Sequence, residues 1–420
     1  MTDRHDVEVV IVGAGAAGIA AARELRARGH SFRLLEARER IGGRLWTDAV
    51  TLGLPFDLGG SWIHAADRGN PWSDIALALG ARFCVDPRRR FISRGGHPDA
   101  EAGTALGEAI ARAVAALEEG AARIPGASLA DLLPQEGPFA ATVRALLGVW
   151  ITGAEPEEVD ARDWIATESG EDWIPAEGHG ALLQRIAEGV PVHLGCAVER
   201  LVVASDHVRV ETDEGSFRAA YAILTASTEL LRRGRPQIRP HWPAEVEAAL
   251  ASLPLGQSEK IGLRFDGDPF GLGDNWFLYP SSGTGDLLYL MRPCGLDLAW
   301  AFAGGARARE IAAMEEREVH ALVKEDLARQ AGSAVARRLR RTVHSRWSTD
   351  YWALGAYSYA TPGGEAARGV LRRPIFGRLY LAGEASAPPG WQATAAGAYL
   401  AGRRAACAIS QLLSGWRGGL

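Results

Sequence analysis

Cysteine is scarce in this chain, and its placement matches neither a metal centre nor a disulfide framework. Cys84, Cys196, Cys294 and Cys407 are the 4 cysteines among 420 residues, and they are widely scattered. Metal sites usually show closely spaced Cys and His pairs, and disulfide-rich domains show dense cysteines. The sequence therefore predicts no metal and no disulfide framework, as in a protein of the reducing cytoplasm.

Long hydrophobic runs and a strong excess of one charge are also missing. No stretch approaches the roughly 18 apolar residues of a membrane-spanning helix, and the polar start, Met1 to Asp6, predicts no signal peptide. The formal net charge is −5 with basic and acidic residues interspersed, which is not typical of nucleic-acid binding. The densest basic run, Arg88 to Arg90, is predicted to be a solvated loop. We therefore expect a cytoplasmic protein with no membrane or nucleic-acid partner.

Apolar and small residues are abundant, and their periodicity predicts a β-α-β unit at the start of the chain. Apolar runs from Val7 to Val12 and from Phe32 to Leu35 predict buried parallel strands, with a helix over Ala16 to Arg28 between them. Later patterns predict helices at 101–122, 182–187, 310–330 and 395–413, strands at 198–212, 222–225, 260–265 and 378–382, and loops at 275–286 and 362–372. In the strand at 260–265, Ile261, Leu263 and Phe265 share one face and Lys260, Gly262 and Arg264 the other.

A glycine-rich turn joins the first predicted strand to the first helix. Gly13 permits the tight turn, Gly15 lets the backbone approach a pyrophosphate, and Gly18 lets the helix pack on the strand. Glu36 ends the second strand at the distance expected of a ligand for ribose hydroxyls. This combination predicts a Rossmann-like site for a dinucleotide with an unphosphorylated ribose, either FAD or NAD.

Further motifs decide between these two cofactors. The chain reads Glu36-Ala37-Arg38, Arg40-Ile41-Gly42-Gly43-Arg44, Gly59-Gly60-Ser61-Trp62-Ile63-His64 and Leu379-Tyr380-Leu381-Ala382-Gly383-Glu384. With these motifs it resembles, over nearly its whole length, the flavin-containing amine oxidases, which include monoamine oxidases, polyamine oxidases and lysine-specific histone demethylases. The resemblance implies FAD as the cofactor.

Because the nucleotide-binding signals stand at both ends and in the middle of the chain, the cofactor domain is expected to be discontinuous. The predicted fold is α/β, with a Rossmann-like FAD-binding domain formed by residues 1–64, 191–260 and 375–420. An α+β substrate-binding domain, residues 65–190 and 261–374, is interleaved with it.

The resemblance assigns roles along the expected FAD site. It makes Glu36 the ribose ligand, places Arg38 and Arg44 at the phosphates and flavin side, and puts Glu384 near the ribityl chain and pyrophosphate. The helix that begins at Ala395 would direct its positive end at the flavin pyrimidine. The full set of implied cofactor-binding residues is Gly13, Gly15, Ala17, Gly18, Glu36, Ala37, Arg38, Gly43, Arg44, Gly59, Gly60, Ser61, Trp62, Val198, Trp347, Trp352, Gly383, Glu384, Thr394 and Ala395.

One departure from the family concerns the link to the flavin. Monoamine oxidases carry a flavin-tethering cysteine in a Gly-Cys-Tyr segment, and the matching triplet here is Gly355-Ala356-Tyr357. Alanine cannot form a thioether, so the sequence predicts non-covalent FAD.

The resemblance also implies the catalytic group. Lys260 matches the family lysine that holds a water near flavin N5, although spacing alone would make it an exposed strand residue. The implied substrate-binding residues are His64, Tyr357, Trp391 and Thr394. Tyr357 would form one wall of an aromatic cage, while Thr394 occupies the second wall position and Trp391 is an alternative aromatic surface.

The expected reaction is oxidation of a primary or secondary amine to an imine, with O2 reduced to hydrogen peroxide. An L-amino-acid oxidase is an alternative, although Trp62 stands where those enzymes place an arginine; Arg82, Arg88 or Arg90 would have to replace it. A desaturase or porphyrinogen-type oxidase is a second alternative, and a scaffolding flavoprotein a third. The choice of monoamine or polyamine stays open, with Glu168, Glu171 and Asp172 as candidate polyamine contacts. The sequence also leaves a homodimer open.

Overall fold

A computed structural model describes residues 6–94, 97–280 and 286–417 of the chain. Its strands are β1 (Val7–Val12), β2 (Phe32–Leu35), β3 (Thr47–Asp48), β4 (Phe56–Asp57), β5 (Phe83–Val85), β6 (Arg89–Arg94), β7 (His97–Asp99), β8 (Trp173–Pro175), β9 (Val198–Val203), β10 (Val208–Thr212), β11 (Gly215–Leu224), β12 (Gln237–Arg239), β13 (Ser258–Phe265), β14 (Trp276–Tyr279), β15 (Leu288–Met291), β16 (Leu298–Gly304), β17 (Leu339–His344) and β18 (Leu379–Leu381). Its α-helices are α1 (Ala16–Ala27), α2 (Pro71–Ala78), α3 (Ala100–Arg123), α4 (Leu129–Leu132), α5 (Ala140–Ala145), α6 (Ala161–Ile165), α7 (His179–Ala187), α8 (Thr228–Arg232), α9 (Ala244–Ala251), α10 (Gly305–Ala313), α11 (Glu316–Ala331), α12 (Ser333–Ala336), α13 (Ala367–Leu371) and α14 (Ala395–Arg417). Two predictions fall partly outside the described residues. These are the polar start without a signal peptide, at residues 1–5, and the end of the loop predicted at 275–286, at residues 281–285.

The first sheet carries the predicted β-α-β unit. Its strand order is β12-β9-β10-β11-β1-β2, and β18 also pairs with β11. β1 runs parallel to β2 and to β11, which in turn runs parallel to β18. Val9, Val10 and Ile11 are fully buried, as a continuous apolar run in a covered parallel strand requires. The α14 helix packs against α1 so closely that a Cβ at Gly402 would overlap the Ala17 carbonyl oxygen.

A second sheet has the order β17-β13-β16-β15-β14-β6-β7. The inward face of β13 buries Ile261, Leu263 and Phe265 in one apolar cluster, as the alternation predicts. The opposite face approaches Phe56, because a Cβ on Gly262 would overlap that ring. The predicted domain boundary at residue 260 falls inside β13, all of which pairs within this second sheet.

Four local predictions differ from the structure. The predicted helix at 310–330 is two helices, α10 and α11, because Glu315 and Glu318 form a capping box that begins a new helix. The predicted loop at 275–286 contains β14, whose Trp276–Tyr279 run is apolar, and the predicted loop at 362–372 contains the short helix α13. The predicted basic loop also differs, since Arg89 and Arg90 lie on β6.

The expectation of no disulfide is wrong as well. Cys84 on β5 and Cys294, in the turn after β15, form a disulfide with their Cα atoms 5.5 Å apart. These cysteines are 210 positions apart in sequence, so only the tertiary fold brings them together. The cysteine pattern therefore gives no support to a reducing compartment. Within the described residues, no helix combines the length and the apolar character needed to cross a bilayer.

Candidate active site

The turn between β1 and α1 forms a cradle that only glycine can line. Gly13 has a φ of 98°, and a Cβ there would overlap the Thr225 hydroxyl. A Cβ at Gly18 would overlap the Gly13 carbonyl oxygen. The α1 helix begins at Gly15 without a side-chain cap, so its first N–H groups face outward for an anion. This cradle fits a pyrophosphate.

Glu36 closes one side of this cradle from the end of β2. Its carboxylate is buried and accepts hydrogen bonds from the backbone N–H groups of Ala14, at 2.7 Å, and Arg38, at 2.9 Å. Each carboxylate oxygen has two lone pairs, so both retain acceptor capacity for hydroxyl donors. The side chain therefore suits the ribose role that the resemblance implies.

Arg38 has a partner that the sequence did not predict. Its guanidinium forms a two-pronged ion pair with Asp350, with N–O distances of 2.9 and 2.5 Å. The backbone N–H of Trp352 also donates to Asp350. Asp350 thus connects Arg38 to the segment that carries Trp347 and Trp352, two of the predicted cofactor contacts.

Arg44 and Glu384 form an ion pair beside the predicted tether position. Arg44 Nη1 is 3.0 Å from Glu384 Oε1 and 2.6 Å from the Ala356 carbonyl oxygen, next to the predicted tether position. The second oxygen of Glu384 accepts from the Ser358 N–H and hydroxyl. Ser358 is in turn held by the buried guanidinium of Arg368.

Lys260 is buried, with 8% of its surface exposed, contrary to what its spacing alone predicts. Its Nζ donates to the carbonyl oxygens of Asp57, at 3.0 Å, and Gly59, at 2.6 Å, and to the Ser61 hydroxyl. An ammonium has three N–H donors, so these partners engage all of them. Lys260 therefore anchors the Gly59–Ser61 segment, and the Ser61 hydroxyl keeps its own proton to donate onward.

Four aromatic rings surround the Lys260 ammonium. The distances from Nζ to the ring centres are 5.0 Å for Trp300, 5.6 Å for Trp62, and 5.9 Å for both Phe56 and Phe302. Burial among these rings lowers the pKa of Lys260 to about 8, although the charge of Asp57 opposes the shift. The rings exclude water while their faces attract the cation.

The neighbour of Lys260 in sequence positions a predicted flavin contact. The buried Glu259 carboxylate accepts from the Ser345 hydroxyl and from the N–H groups of Trp347 and Ser348. Burial raises the pKa of Glu259. Trp347 then donates its indole N–H to the Leu58 carbonyl oxygen at 2.8 Å, so it lies against the segment that Lys260 anchors.

His64 belongs to an ion-pair network. Its Nδ1 lies 3.1 Å from Asp172 Oδ1, and Arg88 contacts the other Asp172 oxygen. Burial alone would raise the pKa of Asp172, but His64 and Arg88 outweigh it and hold that pKa well below its ordinary range. Arg88 therefore lies in an exposed loop, as predicted, and also pairs with Asp172.

Trp62 links this network to the lysine. Its ring stacks on His64 with 6.1 Å between ring centres, and its indole N–H donates to Asp86 at 2.9 Å. Trp62 also touches the ring of Trp300 beside Lys260. The predicted substrate contact His64 and the predicted catalytic group Lys260 therefore both lie close to the ring of one tryptophan.

The remaining predicted contacts lie in several different elements of the fold. The Tyr357 hydroxyl donates to the Ile151 carbonyl oxygen at 2.6 Å, and burial raises the pKa of Tyr357 to about 12. Thr394 caps α14, since its hydroxyl accepts from Gly397 N and donates to the Trp391 carbonyl oxygen. Ala395 then begins α14, Ala17 lies in α1, and Val198 begins β9. Ala37, Gly43, Gly60 and Gly383 lie in the connecting turns.

A family comparison agrees with this geometry. The model of a family described as flavin containing amine oxidoreductase matches residues 16–168 and 158–410. This chain belongs to that family. The flavin in the family's description agrees with the flavin cofactor that the motifs predict.

Relatives within the family include histone demethylases and polyamine oxidases. Human lysine-specific histone demethylase 2 is 26% identical over 97% of this chain, and rice (Oryza sativa subsp. japonica) polyamine oxidase 4 is 25% identical over 90%. The match spans 54% of the demethylase and 83% of the polyamine oxidase, so the chain corresponds to about half of the former.

Solved structures share the fold. A putrescine oxidase bound to putrescine superposes with a TM-score of 0.79 at 21% identity, covering 96% of this chain and 98% of that one. Cyclohexylamine oxidase from Brevibacterium oxydans IH-35A gives 0.77 at 22% identity, covering 97% and 100%. The predicted α/β class is therefore confirmed.

Sequence reasoning missed several residues of this site. Trp300 and Phe302 alternate along β16, a strand for which no prediction was made, and Phe302 pairs directly with Lys260. Asp350 and Asp86 act through an ion pair and a hydrogen bond to residues distant in sequence, and Asp172, predicted only as a possible polyamine contact, pairs with His64 and Arg88. The alternation of β16 was a usable signal, whereas the acidic partners follow only from the tertiary fold.

Proposed function

We propose that this chain oxidises a small primary or secondary amine to an imine and passes the electrons to O2, which leaves as hydrogen peroxide. The observation that carries the proposal is that the Lys260 ammonium is buried among four aromatic rings. A cation held beside the Gly59–Ser61 segment, in a site with little water, favours negative charge developing on oxygen during its reduction.

The residues of the candidate site fit FAD that is bound without a covalent link. The glycine turn and the start of α1 would hold the pyrophosphate, Glu36 the ribose, and Arg44 with Glu384 the ribityl region. When bound, FAD accepts a hydride or its equivalent from the carbon beside the amine nitrogen. Ala356, whose carbonyl oxygen faces Arg44, offers no thiol for a tether.

The protein's own contribution is orientation and exclusion of water. Tyr357 and the tryptophans predicted to lie at the site provide apolar surface for a neutral amine. Lys260 holds positive charge at the Gly59 carbonyl and the Ser61 hydroxyl, so Ser61 can pass a proton to water or to reduced oxygen. The imine leaves the protein and is hydrolysed by water.

The competing substrate, an amino acid, needs a cationic partner for its carboxylate. Trp62 replaces the arginine of that subsite. Of the three arginines suggested to substitute for it, Arg88 already faces Asp172, Arg82 lies 3.6 Å from Glu177, and Arg90 hydrogen-bonds to Tyr279. An amine without an α-carboxylate is therefore favoured. The same argument weakens Asp172 as a polyamine contact, because His64 and Arg88 already compensate its charge.

The test uses the purified holoenzyme and a panel containing putrescine, spermidine, cyclohexylamine and L-amino acids, scored by peroxide release. We expect peroxide with at least one simple amine and none with the amino acids. Acid or heat should release intact FAD from the denatured chain. Flavin that stays with the chain on a denaturing gel would contradict the non-covalent assignment, and peroxide from amino acids alone would contradict the substrate class.

A further inference from the structure

Three potential metal ligands meet at the outer edge of the first sheet, beside the end of β2 that carries Glu36. His193 and Cys196 lie in the segment before β9, and Glu214 lies in the turn between β10 and β11. The imidazole, thiol and carboxylate ligand atoms all lie within 4.8 Å of one another. His193 Nε2 is 2.8 Å from a Glu214 oxygen.

The surroundings of this triad favour a cation. Cys196 is 3% exposed and fixes one corner, whereas the His193 and Glu214 side chains are 52% and 55% exposed. Asp213 adds a second carboxylate whose charge acts on the Cys196 thiol. The three residues also line a cavity of about 430 Å³ between β2 and the β10–β11 turn, which leaves room for a further ligand.

We propose that His193, Cys196 and Glu214 bind one divalent transition-metal ion, with zinc as the best match. Thiolate, imidazole and carboxylate are the ligands that zinc uses, at about 2.3, 2.0 and 2.1 Å respectively, and three protein ligands with an open fourth position are a common arrangement. Tetrahedral ligands at these distances lie roughly 3.3–3.8 Å apart. His193 and Glu214, now 2.8 Å apart, would have to separate slightly to share a metal ion, a movement that these two exposed side chains can supply.

The binding segment is part of the cofactor domain's hydrogen-bond framework. Glu36 N donates to the His193 carbonyl oxygen at 2.8 Å, and Cys196 N donates to the Glu36 carbonyl oxygen at 3.0 Å. The backbone at 193–196 therefore continues the sheet beside β2, which holds the cysteine and histidine in fixed relation. The metal would join this segment to the β10–β11 turn.

The experiment titrates chelator-stripped holoenzyme with Zn²⁺ against a chromogenic indicator and measures bound metal by elemental analysis. We expect one zinc per chain, with affinity reduced at least about 10-fold by Cys196→Ser or His193→Ala. Two variants serve as controls. Cys407→Ser removes the other free cysteine among the described residues, and His207→Ala removes a His–carboxylate pair that has no thiol. Both should bind zinc like the wild type.

Co²⁺ gives an independent readout. A thiolate-to-cobalt charge-transfer absorption should appear in the difference spectrum of wild-type holoenzyme and be absent from Cys196→Ser. Because burial of Cys196 makes that variant prone to misfolding, Glu214→Gln and His193→Ala test the same site from its exposed side, with FAD content and circular dichroism as folding checks. Equal zinc binding by wild type, His193→Ala and Glu214→Gln, or no thiolate absorption with cobalt, would overturn the proposal.

Discussion

Lys260 on β13 and Trp300 on β16 lie on adjacent strands, with the ammonium 5.0 Å from the centre of the indole ring. Lys260 pairs in register with Phe302, so the tryptophan lies diagonally across the same face. The lysine is thus held both by the aromatic residues of the second sheet and by three oxygens of the segment at 57–61. This contact joins the second sheet to the expected flavin segment.

The first prediction concerns Lys260 and the two half-reactions. Replacing Lys260 by Met should slow reoxidation of the reduced enzyme by O2 about 100- to 1000-fold, because a positioned charge is lost from a dry site. Anaerobic reduction by the amine should change much less. Stopped-flow measurement of both steps decides this.

Lys324→Met, which removes the chain's other lysine from an exposed position on α11, is the control. Collapse of reduction with normal reoxidation would make Lys260 a substrate contact.

A pH dependence follows from the lowered pKa of Lys260, about 8. The ammonium loses its proton as pH rises through this value, so the reoxidation rate should be high below pH 8 and fall above it. Lys260→Met should show no such step, and Lys324→Met should keep it. A step of the same size in Lys260→Met would assign the titration to another group.

Glu36 provides a test of the cofactor cradle. Glu36→Ala should weaken FAD binding about 10- to 100-fold, because charge-assisted hydrogen bonds contribute roughly 1.5–3 kcal/mol. The FAD dissociation constant is measured by flavin fluorescence. Since Glu36 also holds Ala14 and Arg38, unfolding of the apoprotein is followed as well, and Glu39→Gln is the exposed control. Unchanged FAD affinity would remove Glu36 from the site.

The buried ion pair between Arg368 and Asp163 should contribute strongly to stability. Its N–O distances are 2.6 and 2.7 Å, and both side chains are buried. Asp163→Leu should lower the free energy of unfolding by about 3–5 kcal/mol, because it leaves the guanidinium buried without a counter-charge. The matched control is Arg162 with Glu365, a half-exposed pair at 3.9 Å, whose loss should cost about 1 kcal/mol or less. Equal costs in urea unfolding would contradict the buried role.

The Cys84–Cys294 disulfide should stabilise the protein against unfolding. It closes a loop between residues 210 positions apart, and such links typically contribute about 2–5 kcal/mol. Thiol reductant or Cys294→Ala should therefore lower the melting temperature, while Cys407→Ser should not. Titration of thiols in the unfolded, unreduced protein should find two rather than four. Four free thiols would show that the bond does not form.

The parts of the fold that sequence reasoning predicted are those set by local pattern. The strand Val7–Val12, the glycine turn and Glu36 follow one another within a short stretch, and their order alone indicates the β-α-β unit. The burial of Lys260, by contrast, does not follow from local pattern. Its strand pattern predicted an exposed residue, because alternation does not reveal that Trp62, Trp300 and Phe302 cover that face.

The parts that escaped prediction depend on residues far apart in sequence. Arg38 and Asp350 are separated by 312 positions, and His64 and Asp172 by 108. No spacing rule relates such pairs, since loop lengths between them are free to vary. The division between α10 and α11 at Glu315 could, however, have been predicted from local sequence, because Glu315 and Glu318 have the spacing of a capping box that begins a helix.

The order of assembly follows from where the strands of the first sheet lie along the chain. β1 and β2 precede β11 and β18 along the chain, yet all four strands belong to one sheet, and α1 is covered by α14. During synthesis, the apolar outer face of α1 stays unpaired until Gly402 and its neighbours have left the ribosome. The helix that carries the nucleotide cradle therefore waits for a partner that lies nearly 400 positions further along the chain.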